Sequence, residues 1–134
     1  MNKKDLLSTL WIFVTFNYLY CDLIGLMDSS LLKQYLTGKV EGMEINPLFL
    51  FYAGILMEIP ISMILFSRIL PNKSNVWANI LASFIKTFVM IITLFIGSFT
   101  IYYAFFAAIE IMTTMFIFGY SIKWLREGNR VSLL

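Results

Sequence analysis

Four long apolar runs make up most of the chain and restrict what it can fold into. The short stretches between them hold Pro71, three of the seven glycines and several of the charged residues. A run of about 20 apolar residues is long enough for a helix to cross the hydrocarbon core of a bilayer. Four such helices and their connections use up a chain of 134 residues. The sequence therefore predicts one membrane domain over residues 1–134, folded as an all-α, four-helix transmembrane bundle.

The composition supports a membrane protein and argues against several kinds of chemistry. The chain is 60% hydrophobic and 13% charged, whereas a soluble domain is about 25% charged. Histidine, the commonest metal ligand and the usual acid–base residue, is absent from the sequence. The single cysteine, Cys21, cannot form a disulfide within the chain or a two-cysteine redox centre. We therefore expect no metal, no cofactor and no nucleic acid, and these residue types do not favour an enzyme.

Start and stop signals divide the chain into helices. Asp28 suits an N-cap, and the amphipathic stretch after it ends at Gly38, which predicts a short interfacial helix. Pro47 begins the next span. Pro60 within that span is expected to kink the helix and to leave the carbonyl of Leu56 without its helical partner. The predicted membrane helices cover 6–27, 47–70, 76–96 and 101–125, and the interfacial helix covers 29–37.

Positively charged residues indicate how the bundle is oriented. With four spans, both termini and the connection between the second and third membrane helices lie on one side. That side carries Lys3, Lys4, Arg68, Lys73, Lys123, Arg126 and Arg130. The opposite side carries Lys33 and Lys39 together with acidic residues. Because cytoplasmic loops are enriched in lysine and arginine, we predict a multi-pass protein of the cell membrane with both termini in the cytoplasm.

A polar or ionisable residue lies near the middle of each apolar run. These residues are Asn17, Glu58, Lys86 and Glu110. At about 1.5 Å per residue, each lies about 15 Å from the end of its helix, which is half the hydrocarbon thickness. Asp22 lies roughly 7 Å nearer the outside, level with Tyr103. The candidate ligand-binding residues are therefore Asn17, Tyr20, Asp22, Glu58, Lys86, Tyr103 and Glu110.

Two interpretations of this polar layer stay open. Each charge that faced lipid at the bilayer centre would cost about 2.5–3.5 kcal/mol, so Glu58, Lys86 and Glu110 are expected to point inward. The layer could then serve only to fix the helix register, as buried polar residues do in coiled coils. It could instead form a small polar cavity that holds a ligand or passes protons. Two carboxylates and one ammonium are more charged groups than fixing the helix register would need. This excess favours the polar cavity.

Short motifs in every membrane helix carry a family resemblance. They lie at residues 17–22, 56–60, 67–70, 77–79 and 109–111, with Tyr103. They resemble a family of short, uncharacterised four-helix prokaryotic membrane proteins, known as a domain of unknown function. The resemblance implies four spans and no assigned activity. Residues that fit its pattern are Asp22, Pro60, Asn79 and Glu110. Glu58 and Lys86 are not part of the pattern, so an ion pair between them would be particular to this chain.

Several functions stay open at this point. One is binding or transport of a small molecule, a lipid or a proton within the bilayer, with Asp22 and Glu110 as acceptors. Small four-helix multidrug transporters also use a membrane carboxylate and act as dimers, so a homodimer is kept as an alternative. A second function is a membrane enzyme that acts on a lipid or isoprenoid, and a third is a structural or accessory subunit. A Schiff base between Lys86 and a retinal-like chromophore is a further alternative.

Overall fold

In a computed structural model the chain forms four long helices, one short helix and a small strand pair. The structure describes residues 2–40, 43–95 and 100–133. The elements, in chain order, are α1 (Lys3–Met27), α2 (Ser29–Thr37), β1 (Lys39–Val40), β2 (Met43–Glu44), α3 (Pro47–Ile69), α4 (Asn72–Phe95) and α5 (Ile101–Leu133). Within these ranges α1, α3, α4 and the Ile101–Gly128 part of α5 are long and apolar enough to cross a membrane. The predicted all-α bundle, with a short helix after the first long one, is confirmed.

Local capping explains where the helices begin and end. The Asp28 side chain accepts hydrogen bonds from the backbone N–H groups at the start of α2, and Gly38 closes that helix with φ of 80°. Such a φ suits glycine because it lacks a Cβ. The Asn46 side chain accepts from the N–H of Phe49 at 2.8 Å, and Pro47 occupies the first turn of α3. These caps are the ones that the sequence predicts.

Several segments differ from the predicted boundaries. The helix α1 begins at Lys3 rather than near 6, and α5 runs to Leu133 rather than to 125. The helix α4 begins at Asn72 rather than near 76, and the N–H of Asn75 bonds to the carbonyl of Pro71 at 2.8 Å. A proline just before a first turn loses no helical hydrogen bond, so it starts this helix as well as ending the previous one. The strands β1 and β2 form an antiparallel ladder that was not predicted. The tight turn predicted at 97–100 falls outside the described residues except for Thr100.

The four long helices contact one another in a ring. The helices α1 and α4 each pack against both α3 and α5. The Ser8 hydroxyl donates to the carbonyl of Ile64 at 2.8 Å, which joins the start of α1 to the end of α3. Lys3 and Glu127 form an ion pair at 3.3 Å, which joins the start of α1 to the end of α5. Neighbours in the ring therefore run antiparallel, and all of these ends meet at one end of the bundle.

The helical spacing of small and polar residues in the sequence predicts one buried face on α4 and one on α5. Their small and polar stripes face the core, at Asn79, Ala82, Ser83, Lys86 and Met90 of α4 and Ala107, Glu110, Thr114 and Ser121 of α5. Small residues at such positions let membrane helices approach closely. In contrast, α3 buries only Pro60, Met63 and Ser67. The core is therefore built mainly from α1, α4 and α5.

A hydrogen-bonded network of polar side chains lies near the end of the bundle that holds the start of α1. The Asn79 Oδ1 accepts from Trp11 Nε1 at 2.7 Å and from Ser67 Oγ at 3.3 Å. The Asn79 Nδ2 donates to Asn75 Oδ1 at 2.7 Å, and Asn75 Nδ2 donates to the Ser67 carbonyl at 2.7 Å. These residues, which we call the asparagine network, tie α1, α3 and α4 in a fixed register.

Candidate functional site

A second group of polar side chains lies deeper in the bundle and is bonded differently. Tyr18 of α1, Lys86 of α4 and Glu110 of α5 are 5%, 3% and 1% exposed. We call these three residues the core cluster. The charges of Lys86 and Glu110 interact electrostatically. Among residues 2–40, 43–95 and 100–133, however, no direct ion pair joins the Lys86 ammonium to a carboxylate.

Lys86 is held by groups other than a carboxylate. Its Nζ donates to the backbone carbonyl of Leu56 at 3.4 Å and lies 4.3 Å from the centre of the Tyr18 ring. The Leu56 carbonyl is the one that Pro60 leaves without an N–H donor, as the sequence predicts. An ammonium over an aromatic ring is attracted by the negative face of the ring. A backbone carbonyl of α3 and a tyrosine therefore take the place of a counter-ion.

Glu110 has no such partners for its carboxyl group. Its Oε1 and the Tyr18 hydroxyl are both buried, and neither has a hydrogen-bond partner in the described part of the chain. The Thr114 hydroxyl donates at 3.0 Å to the backbone carbonyl of Glu110, not to its carboxyl group. Buried polar atoms are nearly always hydrogen-bonded in native proteins. The carboxyl of Glu110 is therefore an exception that calls for an explanation.

Asp22 lies at the exposed edge of the core cluster. Its side chain is exposed on α1, and its charge interacts with those of Lys86 and Glu110. Asp22 also lies close to Tyr35 of α2. Burial raises the pKa of Tyr35, and the nearby negative charge of Asp22 raises that pKa further. The structure thus links Asp22 to the core cluster on one side and to α2 on the other.

Tyr103 has a structural contact of its own. Its hydroxyl donates to Thr93 Oγ1 at 3.2 Å, and its ring is half-buried between α4 and α5. Glu110 and Asp22 both act on it electrostatically. Of the predicted site residues, the structure therefore brings Asp22, Lys86, Tyr103 and Glu110 into one region.

Asn17 and Tyr20 lie outside that region, although the sequence predicts that they belong to the same polar layer as the other candidate residues. The buried face of α1 passes through Val14, Tyr18 and Cys21. Consecutive helical residues point about 100° apart, so Asn17 cannot share the direction of Tyr18. The Asn17 Nδ2 instead donates to the Phe13 carbonyl at 2.9 Å. Asn17 and Tyr20 line an open groove of about 560 Å³ on the outer surface.

Glu58 departs furthest from expectation. It was expected to point inward, yet its side chain is exposed on the outer face of α3. The buried face of α3 runs through Pro60, Met63 and Ser67. Glu58 precedes Pro60 by two positions, which is about 200° around a helix. It therefore points away from the core, and the predicted Glu58–Lys86 pair does not form among the described residues.

Two functional features of the site were not predicted from the sequence. One is Tyr18, which lies one helical turn before Cys21 on the buried face of α1. The sequence signal for a buried Tyr18 was its position one helical turn from Val14 and Cys21, not its polarity. The other is the Leu56 carbonyl as a ligand of Lys86. The sequence signal for this contact was Pro60. It frees the Leu56 carbonyl at a depth similar to that of Lys86 on the next helix.

Comparisons with known proteins give a family but no activity. The model of the family of unknown function DUF6326 matches residues 1–130. No curated protein and no solved structure matches the chain.

Proposed function

Since the chain belongs to the DUF6326 family, whose function is unknown, we propose a role on the geometry of the core cluster: it is a membrane protein that binds and passes protons at Glu110. The observation that carries the proposal is the buried Glu110 Oε1, which lacks a hydrogen-bond partner in the described residues. A carboxyl group inside a membrane is costly and commonly marks a proton or ion pathway. A proton is a ligand that a single carboxyl group can hold without a larger cavity.

The asparagine network argues against a purely structural role for the core cluster. Its amide groups are hydrogen-bonded and already join α1, α3 and α4. A second polar layer that served only register would be expected to satisfy its own groups in the same way. Glu110 and Tyr18 do not. The core cluster therefore retains polar atoms that stability alone does not require.

Lys86 has the role of balancing charge when Glu110 releases its proton. Because Lys86 binds the Leu56 carbonyl and the Tyr18 ring, it does not occupy the carboxyl oxygens. It is nevertheless close enough to act on Glu110 electrostatically. A nearby opposite charge favours the ionised form of a carboxyl group. When Glu110 releases its proton, Lys86 therefore balances the negative charge of its carboxylate.

Asp22 is the proposed entrance for protons. It is the exposed member of the group and lies on the side of the bundle that carries α2. At the other end, the asparagine network joins the helices by hydrogen bonds. We therefore place the α2 end outside the cell and the end with the start of α1 in the cytoplasm. The lysines and arginines at the end with the start of α1 agree with this orientation.

The direct test is proton flux into liposomes that contain the purified protein. A pH-sensitive dye inside the vesicles reports acidification when an inward proton gradient and a potassium potential are applied. We expect Glu110→Gln to reduce the flux to that of empty vesicles, because glutamine cannot release a proton. Glu58→Gln is the matched control, since it makes the same change at a similar depth on the outer face. Flux that survives in Glu110→Gln would remove the proposal.

A second readout does not depend on transport. Infrared difference spectra between acidic and alkaline buffer show the C=O stretch of a carboxylic acid that titrates. We expect the spectrum of the wild-type protein to contain such a band that disappears in Glu110→Gln and stays in Glu58→Gln. Identical spectra for wild type and Glu110→Gln would mean that Glu110 does not exchange a proton.

A further inference from the structure

The outward position of Glu58 is not explained by a single copy of the chain. The side chain is exposed in the middle of a candidate membrane span. It forms no ion pair and no hydrogen bond with any residue within 2–40, 43–95 or 100–133. A carboxyl group that faces hydrocarbon at this depth is strongly disfavoured unless something covers it. Lipid tails offer no hydrogen-bond donor or acceptor, whereas a polar group of a second protein can cover this carboxyl group.

The helix that carries Glu58 is also the least covered of the four. Only 11% of the most apolar part of α3 is buried, against 28–33% for the other candidate spans. No residue between Pro47 and Glu58 is buried. The first half of α3 thus presents a long surface to the membrane, and Glu58 lies on it.

A glycine one turn before Glu58 gives independent support. Gly54 is inside α3, where glycine weakens a helix relative to alanine. A Cβ built at Gly54 would meet no atom of the described residues within 4 Å, so nothing in that part of the chain requires the small residue. Glycine at such a position lets a second membrane helix approach closely. Ser62, one turn after Glu58, continues the same side of α3.

We propose that two copies of the chain pair through this side of α3, which we call the α3 face and define by Gly54, Glu58 and Ser62. A two-fold axis along the membrane normal places every residue at the same depth as its own copy. Glu58 then meets Glu58 of the second copy. When both are protonated, each O–H donates to the carbonyl oxygen of the other, so that no charge faces lipid. Lys86, a cation of similar depth, is 3% exposed in its own bundle, so a second copy offers a carboxyl group rather than an ammonium.

The test is the self-association of full-length protein in liposomes. Copies labelled with donor and acceptor dyes are reconstituted over a range of protein-to-lipid ratios, and energy transfer gives the dissociation constant of the dimer. We expect the wild-type protein to pair and Glu58→Leu and Gly54→Leu each to weaken pairing by roughly tenfold or more, as loss of an interhelical hydrogen bond or of close packing would. Glu58→Gln should pair like wild type, because glutamine can donate and accept across the same contact.

Gly119→Leu is the matched control for the glycine change. Gly119 is an exposed glycine within a helix, and a Cβ there also meets nothing within 4 Å. It lies on α5, away from the α3 face, so pairing should stay at the wild-type value. Helix content by circular dichroism shows that each variant is folded. A wild-type protein that stays monomeric at every ratio, or folded Glu58→Leu and Gly54→Leu variants that pair as tightly as wild type, would overturn the proposal.

Discussion

Asn79 and Glu110 are both buried, but their side chains are bonded in opposite ways. The Asn79 amide accepts from Trp11 and Ser67 and donates to Asn75. The Glu110 Oε1 has no partner in the described chain. A satisfied polar group makes a rigid and specific core, whereas an unsatisfied one is a cost that function can account for. Residues of similar burial therefore have different expected roles, stability for Asn79 and proton exchange for Glu110.

Asn79→Ala is expected to lower stability. The change leaves the Trp11 indole N–H and the Asn75 Oδ1 without these partners in a buried place. We expect a loss of about 1–3 kcal/mol in the free energy of unfolding, the usual cost of unsatisfied buried groups. Denaturation in detergent, followed by circular dichroism, measures it. Asn72→Ala, at an exposed position of the same helix, is the control and should change stability little; equal stability of the two variants would contradict the role of the network.

At the scale of helices, the sequence predicted α4 and α5 better than α3. The stripes on α4 and α5 mix small, polar and apolar residues with a helical period, so their buried faces could be identified. In α3 most residues around the helix are apolar, and Glu58 is predicted to point inward on energetic grounds that consider one chain alone. The strands β1 and β2 were missed because each has two residues, which is too few to show alternation.

The proline inside α3 gives a prediction at the same scale. Pro60→Ala supplies an N–H that can bond to the Leu56 carbonyl within the helix, in competition with Lys86. We expect proton flux to fall severalfold while the protein stays folded, because Lys86 is then less firmly held beside Glu110. Pro47→Ala changes a proline in the first turn, where no helical hydrogen bond is missing. Proton flux measured in liposomes should therefore fall in Pro60→Ala only. Equal flux in the two variants would mean that flux does not depend on the Leu56 carbonyl that Pro60 leaves free for Lys86.

For the whole molecule, the two ends of the bundle are built differently. At the end with the start of α1, the helices are joined by the asparagine network and by ion pairs of Lys3 with Glu127 and of Arg68 with Asp5. At the other end, the Tyr102 hydroxyl donates to Asp28 at 3.1 Å and ties α5 to the cap of α2. Asp22 is exposed near that end. This asymmetry supports an entrance for protons on the α2 side alone.

The proposed orientation makes the final prediction. Single cysteines replace Lys39, beside α2, and Lys73, in the first turn of α4, after Cys21 has been changed to alanine. Both lysines are exposed. A maleimide that cannot cross the membrane should label Lys39→Cys in intact cells and Lys73→Cys only after the cells are opened, because a bundle with its positive end in the cytoplasm presents α2 outside. The reverse pattern would invert the bundle and place Asp22 on the cytoplasmic side. Proton entry would then begin in the cytoplasm, even though the contacts of Glu110 and Lys86 would be the same.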